Sequence, residues 1–127
     1  MAYYIDLPTF SDSRGNLTVI DNILPFQIKR VYYIYKANKK RGGHHHKKTI
    51  QCLIAISGSC EIYVNDGIKK EYYTLSTPSK GLIVDTKDWH TMDKFSQDCV
   101  LLVLASEHYD VNDYVDEEYK SWLNTKI

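Results

Sequence analysis

Apolar side chains fall in short runs along the chain, broken by turn-forming residues, and no stretch before about residue 107 sustains a helical period over three turns. This pattern predicts strands over Leu17 to Ile20, Ile28 to Tyr35, His44 to Lys47, Ile50 to Ile56, Cys60 to Val64, Lys70 to Leu75, Gly81 to Val84 and Val100 to Ala105. Ser57-Gly58-Ser59 and Asn65-Asp66-Gly67 separate apolar runs, and Asp66-Gly67 is a favoured hairpin dipeptide, so the strands are expected to form a meander of antiparallel hairpins. Many short strands at near-regular spacing point to a sandwich, jelly roll or barrel. Near the end the pattern changes. Val111 to Leu123 spaces Tyr114, Tyr119 and Trp122 among acidic residues as a short amphipathic helix would.

The chain has 127 residues, the size of one domain, and no linker, repeat or low-complexity segment divides it. A single domain over residues 1–127 is therefore expected. Hydrophobic residues are 43% and charged residues 25%, values of a folding chain rather than a disordered one. Sixteen Lys plus Arg balance sixteen Asp plus Glu, so no net field draws the molecule to nucleic acid or an anionic membrane. Any anionic ligand must then be held by a local basic cluster. There is no apolar stretch of bilayer length, and MAYYIDLPTF lacks the regions of a signal peptide, which predicts a cytoplasmic protein. Cys52, Cys60 and Cys99 are an odd number within apolar runs, as suits buried thiols rather than a disulfide framework.

The segment richest in chemistry is Lys39-Lys40-Arg41-Gly42-Gly43-His44-His45-His46-Lys47-Lys48, where five cations flank three histidines. On a strand, alternate side chains share a face, so His44 and His46 converge while His45 points away. Such a pair serves two chemistries. As metal ligands, two imidazoles need a third and usually a fourth donor, and His90 is the available histidine. As acid and base, imidazoles with an unperturbed pKa near 6.5 exchange protons at neutral pH, and nearby cations favour the neutral, basic form. Removing a proton beside a carbonyl also needs a donor for the developing oxyanion, for which Arg41, Tyr33 and Tyr35 are candidates.

His-x-His on a strand of a small all-β chain resembles the first motif of the cupins, in which a glutamate ligand and then a glycine follow. Here Gln51 and Gly58 stand at those spacings. A carboxamide is a far weaker cation donor than a carboxylate. The second cupin motif places a histidine shortly after a Pro-x-Gly turn, whereas Pro78-Ser79-Lys80-Gly81 is followed by Leu82, Ile83 and Val84.

A larger set of segments carries a closer resemblance. These are Asp12-Ser13-Arg14-Gly15-Asn16-Leu17, Pro25-Phe26, Lys29-Arg30-Val31-Tyr32-Tyr33-Ile34-Tyr35, the His segment with Gln51, Trp89-His90-Thr91-Met92 with Phe95-Ser96, and Asp98 to Ser106. In this order they resemble the nucleotide-sugar 3,4-ketoisomerases of the WxcM-like cupin family, over about Asp12 to Tyr114. The resemblance implies a cupin-type jelly roll, or double-stranded β-helix barrel. It implies conversion of a dTDP-4-keto-6-deoxyhexose to its 3-keto isomer through an enediol, with no metal or other cofactor. It also implies a homodimer that exchanges N-terminal strands. His44 and His46 match the family's catalytic histidines, with His45 where alanine is more usual, and Tyr35 joins them as a catalytic candidate. Arg41 suits the diphosphate, with Arg30, Arg14 and Lys47 as further cations. Tyr33 and Gln51 are candidates for orienting the sugar, Trp89 for stacking on thymine and His90 for lining the pocket. The residues alone leave two other readings open. One is a metal-dependent cupin using His44, His46 and His90, and the other is a sugar-nucleotide-binding cupin without catalysis.

Overall fold

The structure is a computed structural model and describes residues 1–120. Its strands are β1 (Tyr3–Asp6), β2 (Thr9–Asp12), β3 (Gly15–Thr18), β4 (Arg30–Tyr35), β5 (Arg41–His46), β6 (Gln51–Ser57), β7 (Cys60–Asn65), β8 (Lys70–Leu75), β9 (Lys80–Val84), β10 (Trp89–Asp93), β11 (Val100–Ala105) and β12 (Tyr114–Val115). Two five-stranded sheets, ordered β1-β9-β6-β11-β4 and β12-β5-β10-β7-β8, face each other, and β2-β3 form a separate hairpin. From β4 onward the chain crosses between the sheets at nearly every step, which makes the fold an all-β jelly roll.

That alternation corrects the expected meander. Among consecutive strands of the described residues, only β2-β3 and β7-β8 pair with each other. Asp66 at the β7-β8 turn accepts the backbone amides of Ile68 and Lys69, the Asx arrangement that a hairpin of this composition favours. Ser57-Gly58-Ser59, by contrast, carries the chain from one sheet to the other. Gly58 has φ +66°, and a Cβ there would lie 2.8 Å from the Cys99 Cα, so the crossover depends on its bare backbone.

The main core lies between the sheets and includes Leu53, Ala55, Ile62, Val64, Leu75, Leu82, Val84, Leu101 and Val103. A second cluster, Leu7, Cys52, Ile54, Ile83 and Leu104, lies apart from it and is backed by Ile20, Leu24 and Phe26. Strand β6 supplies residues to both clusters, which is why Cys52-Leu53-Ile54-Ala55 reads as an unbroken apolar run instead of an alternating one. The three cysteines are free and buried.

The predicted C-terminal helix is also corrected. Over the described part of that segment, Val111–Asp113 form one 3-10 turn, capped by the Asp110 side chain on the Asn112 amide, and Tyr114–Val115 form β12. β12 pairs with β5, Tyr114 opposite His46 and Val115 opposite His45. The remainder of the predicted helix, residues 121–123, lies outside the described residues. The aromatic spacing that suggested a helix serves an extended strap, along which Tyr114 and Tyr119 land on the two faces of β5, against His46 and His45 respectively. Among the described residues no helix is long and apolar enough to cross a membrane.

Candidate active site

The site is built where β5 lies between β12 and β10. His44 stands directly opposite His90 on β10, and His46 opposite Tyr114 on β12, so one face of three adjacent strands gathers three imidazoles and a phenol. The His44 and His46 ring centroids are 5.1 Å apart. His90 lies 5.3 Å from His44. Tyr114 packs 4.6 Å from both His44 and His46. His45 projects to the other face, where its ring stacks on Tyr119 and its Nδ1 donates to the Thr86 carbonyl. Gly42 makes the register possible. It has φ +85°, and a Cβ would meet the His90 carbonyl oxygen at 2.9 Å, next to the irregularity that shifts the β5-β10 pairing.

Two of the ring nitrogens on this face are tied down by hydrogen bonds. His46 Nδ1 lies 3.0 Å from Asp113 Oδ2, and an ionised carboxylate only accepts, so Nδ1 carries the proton. His46 Nε2 is buried and meets no hydrogen-bond partner among the described residues. His90 Nδ1 donates to the Asp88 carbonyl at 2.9 Å. Asp113 is itself anchored, because it accepts the Lys48 amide at 2.8 Å and the Thr49 hydroxyl. Burial opposes the Asp113 charge, but the hydrogen bonds from Thr49, Lys48 and His46 outweigh it and hold the carboxyl below its ordinary range.

The histidines are held neutral. Burial is the first cause for His44, whose pKa falls to about 4, with the neighbouring His46 adding to the effect and Asp116 opposing it. Burial also lowers His46, against the hydrogen bond and charge of Asp113. His90, fully enclosed, is pushed down to about 3. At neutral pH the site therefore presents unprotonated imidazoles beside a cleft.

That cleft has a volume of about 380 Å³ and is lined by Arg30, Tyr32, Ile34, Arg41, His44, Met92, Tyr109 and Tyr114, among others. Arg30 lies over the Tyr32 and Tyr109 rings at 5.3 and 5.7 Å, and its Nε is buried without a partner among the described residues. Gln51, buried at the start of β6, donates its amide to the Tyr32 hydroxyl at 2.9 Å. The cupin glutamate position thus presents a nitrogen donor committed to a phenol. Among the described residues, no group of three or more His, Cys, Asp or Glu side chains converges so as to hold a metal ion. The donor set for a metal centre does not fit.

Of the residues singled out from the sequence, His44, His46, His90, Gln51, Arg30 and Arg41 come together at or beside the cleft. Four others do not. Tyr33 and Tyr35 share a face of β4, but it is the exposed one, with 62% and 59% of their surfaces free. Tyr32, one residue away, is the tyrosine that enters the cleft. Trp89 points to the outer face of its sheet, where its Nε1 donates to the Asp116 carbonyl and its ring packs on Tyr63. Period-two alternation explains this, since His90 takes the inner face. Arg14 projects from the β2-β3 turn, paired with Asp12. Lys47 follows β5 as an exposed residue. Tyr32, Tyr109, Asp113 and Tyr114 were not singled out beforehand. For Tyr32 a signal was present: Arg30, a candidate for binding an anion, shares strand parity with 32 and not with 33 or 35. Asp113 and Tyr114 were hidden by the helical reading of their segment.

A larger depression of about 520 Å³ lies on the outer face, lined by Tyr63, Tyr72 and Trp89 among charged residues. Its Tyr63 hydroxyl is already donated to Glu118, and it contains no imidazole.

The family described as "FdtA: WxcM-like, C-terminal" matches residues 2–126. The chain belongs to this family. It is 45% identical over 115 residues to the TDP-4-oxo-6-deoxy-alpha-D-glucose-3,4-oxoisomerase of Aneurinibacillus thermoaerophilus, covering 87% of this chain and 83% of that one. It also resembles the QdtA 3,4-ketoisomerase of Thermoanaerobacterium thermosaccharolyticum, solved with TDP, at TM-score 0.88 and 44% identity over 91% of this chain and 87% of that one. The WlaRB TDP-quinovose 3,4-ketoisomerase of Campylobacter jejuni matches at TM-score 0.87 and 41% identity, over 91% and 92% of the two chains. A dTDP-4-dehydrorhamnose 3,5-epimerase from Bacillus anthracis, 19% identical at TM-score 0.75, shares the fold.

Proposed function

We propose that this protein is an isomerase that converts TDP-4-keto-6-deoxyglucose to its 3-keto isomer by acid/base proton transfer. The observation that carries the proposal is the pair of neutral imidazoles, His44 and His46, 5.1 Å apart on one strand face beside a cationic cleft. Isomerisation moves hydrogen between adjacent carbons. A base takes the proton from C3, which is acidified by the C4 ketone, and the electrons pass to the C4 oxygen to give an enediol. The C3 hydroxyl proton passes to the C4 oxygen, which becomes the hydroxyl, C3 becomes the ketone, and a proton is delivered to C4. Two imidazoles at this separation serve one carbon each, and positioned general catalysis of this kind contributes about 10²- to 10⁴-fold.

The other cleft residues have matching tasks. Arg30 and Arg41 supply the cations for a diphosphate that the balanced net charge does not attract by itself. Tyr32, with its oxygen accepting from Gln51, turns its hydroxyl proton toward another acceptor, which suits an oxyanion. Tyr114, in contact with both imidazoles, completes the wall behind the sugar. The relatives' names and the QdtA structure with TDP-4-keto-6-deoxyglucose support the choice of substrate.

The protein acts as a homodimer in the cytoplasm. Phe10 and Leu17, a cross-strand pair on the β2-β3 hairpin, are 66% and 59% exposed, and an apolar pair of this size on an N-terminal hairpin supports burial against a second copy. Light scattering should give twice the chain mass, and a monomer at working concentration would refute the dimer. Three free, buried thiols support a reducing compartment.

The activity is tested by incubating the purified protein with TDP-4-keto-6-deoxyglucose in heavy water and following the sugar by NMR. A 3-keto product carrying deuterium at C4 is expected. Recovery of unlabelled substrate after incubation with folded protein would overturn the assignment in favour of a binding role.

A further inference from the structure

We infer that the depression on the outer face of the β5-β10-β7-β8 sheet is a binding site for an uncharged sugar, separate from the catalytic cleft. The two lie back to back. On β10, His90 and Met92 face inward, while Trp89, Thr91 and Asp93 line the outer cavity. Thr91 stands opposite Tyr63 on β7, and Tyr63 opposite Tyr72 on β8. One rung across three strands therefore presents a hydroxyl and two phenol rings, with Trp89 beside it. The cavity of about 520 Å³ is within the range of small-molecule sites, roughly 300–1,000 Å³.

The aromatic rings form a corner. Tyr63 and Tyr72 lie 5.1 Å apart at 48°, and Tyr63 and Trp89 6.1 Å apart at 75°. A flat base is best gripped between parallel walls, which are missing here. A puckered pyranose instead lays the C–H bonds of one face on a ring and sends its hydroxyls out from the edge. The rings are also fixed from behind. Trp89 Nε1 donates to the Asp116 carbonyl, and the Tyr63 hydroxyl donates to Glu118, which accepts from Asn65 as well. Little side-chain freedom is then lost on binding.

At the floor, Thr91 is only 7% exposed, and its hydroxyl meets no hydrogen-bond partner among the described residues. Cross-strand packing accounts for Tyr63 beside Tyr72. It does not account for an unpaired hydroxyl beneath an open cavity, because enclosed polar groups are ordinarily bonded. A sugar hydroxyl supplies the partner. Charge selects the class of ligand, since Lys40, Lys70 and Lys94 are matched by Glu61, Asp93 and Glu118, and Lys94 already pairs with Glu61 at 3.6 Å. A phosphorylated ligand would bring negative charge to a cavity with no cationic excess. A neutral polyhydroxyl molecule finds donors and acceptors in equal measure.

The probes are the methyl glycosides of glucose, galactose and 6-deoxygalactose, each titrated into ¹⁵N-labelled protein with thymidine diphosphate present to occupy the catalytic cleft. At least one should shift the indole N–H resonance of Trp89, assigned with Trp89→Phe. The shift should saturate with a Kd on the order of 1 mM, the affinity expected of a ligand of this size. Tyr72→Ala, at a residue 67% exposed, should raise that Kd about tenfold and leave kcat and KM for isomerisation unchanged. Thr91→Val keeps the shape, removes the hydroxyl and should raise the Kd about fivefold. No movement of the Trp89 resonance with any of the three glycosides at tens of millimolar, or the same Kd in Tyr72→Ala as in the wild type, would overturn the inference. The titration uses no turnover, so an inactive protein that still bound the glycoside would sink the isomerase reading and leave this site standing.

Discussion

At the scale of single residues, strand parity and burial separate the side chains that act from those that decorate. His44→Asn and His46→Asn should each lower turnover by about 10²- to 10⁴-fold, whereas His45→Asn, on the opposite face against Tyr119, should leave it near wild type, as steady-state kinetics will show. Tyr32→Phe removes the acceptor of a buried Gln51 amide and should cost about 1–3 kcal/mol of stability in denaturant melts, while Tyr33→Phe and Tyr35→Phe should change neither stability nor rate appreciably. The alternation of His44 and His46 was legible because a period of two needs no tertiary information. The choice of Tyr32 over Tyr33 and Tyr35 was harder to read, since β4 carries tyrosines on both faces and the Gln51 that holds Tyr32 lies beyond β11, two strands away in the same sheet.

The same pairing sets the pH behaviour. The active form of the base is the unprotonated one, and burial lowers the pKa of both His44 and His46 below the ordinary 6.5. Base function then persists as pH falls through that value. The pH profile of kcat/KM should stay level from about pH 8 to below 6.5 before its acid limb begins, and a limb centred at or above 6.5 would show that the imidazole is solvated.

At the scale of elements, the strands most easily read were those that feed the core. β6, β7, β9 and β11 each supply several buried apolar residues, and their runs announced them. β1, β2 and β3 went unrecognised or were misplaced because nearly every residue in them is exposed, which leaves no apolar run. β10 was concealed by its polar members: His90 and Thr91 are buried as site residues between β5 and β7, not as hydrophobes. The strap from Asp110 to Tyr119 mimicked a helix because its aromatic residues, which contact two different faces of β5, are interspersed with acidic residues as on an amphipathic helix. Gly42 tests how the site strands are joined. Gly42→Ala combines a positive φ with a Cβ at 2.9 Å from the His90 carbonyl, so it should destabilise by more than about 1 kcal/mol and displace His90 from His44. Thermal melts and the NMR shifts of the two rings will report both effects.

At the scale of the whole molecule, jelly-roll crossing explains why residues far apart in sequence meet in one cleft. Strands from both sheets supply its walls, with Tyr32 on β4 and Gln51 on β6 facing the histidine cluster on β5 and β10. The fold class followed from strand number and spacing, but the crossing order did not, because two short turns of similar composition, at Gly58 and Gly67, do opposite things. One crosses between sheets and one closes a hairpin. Burying neutral histidines also has a global consequence. His44 and His90 have folded-state pKa values of about 4 and about 3 against an ordinary 6.5, so below 6.5 the unfolded chain binds more protons than the folded one. Their contribution is complete above that pH and is lost as pH falls toward 4. Denaturant melts should show stability declining over this window, and His90→Gln should flatten the decline.

The central claim is that the His44–His46 pair carries hydrogen between C3 and C4 of a bound keto sugar. The most direct measurement uses TDP-4-keto-6-deoxyglucose labelled with deuterium at C3 and follows loss of label to solvent, with wild type compared with a variant carrying both His44→Asn and His46→Asn. The account predicts release of the C3 deuterium with a primary isotope effect in the wild type, and release slowed by orders of magnitude in the variant. Equal rates of release from both proteins would contradict it.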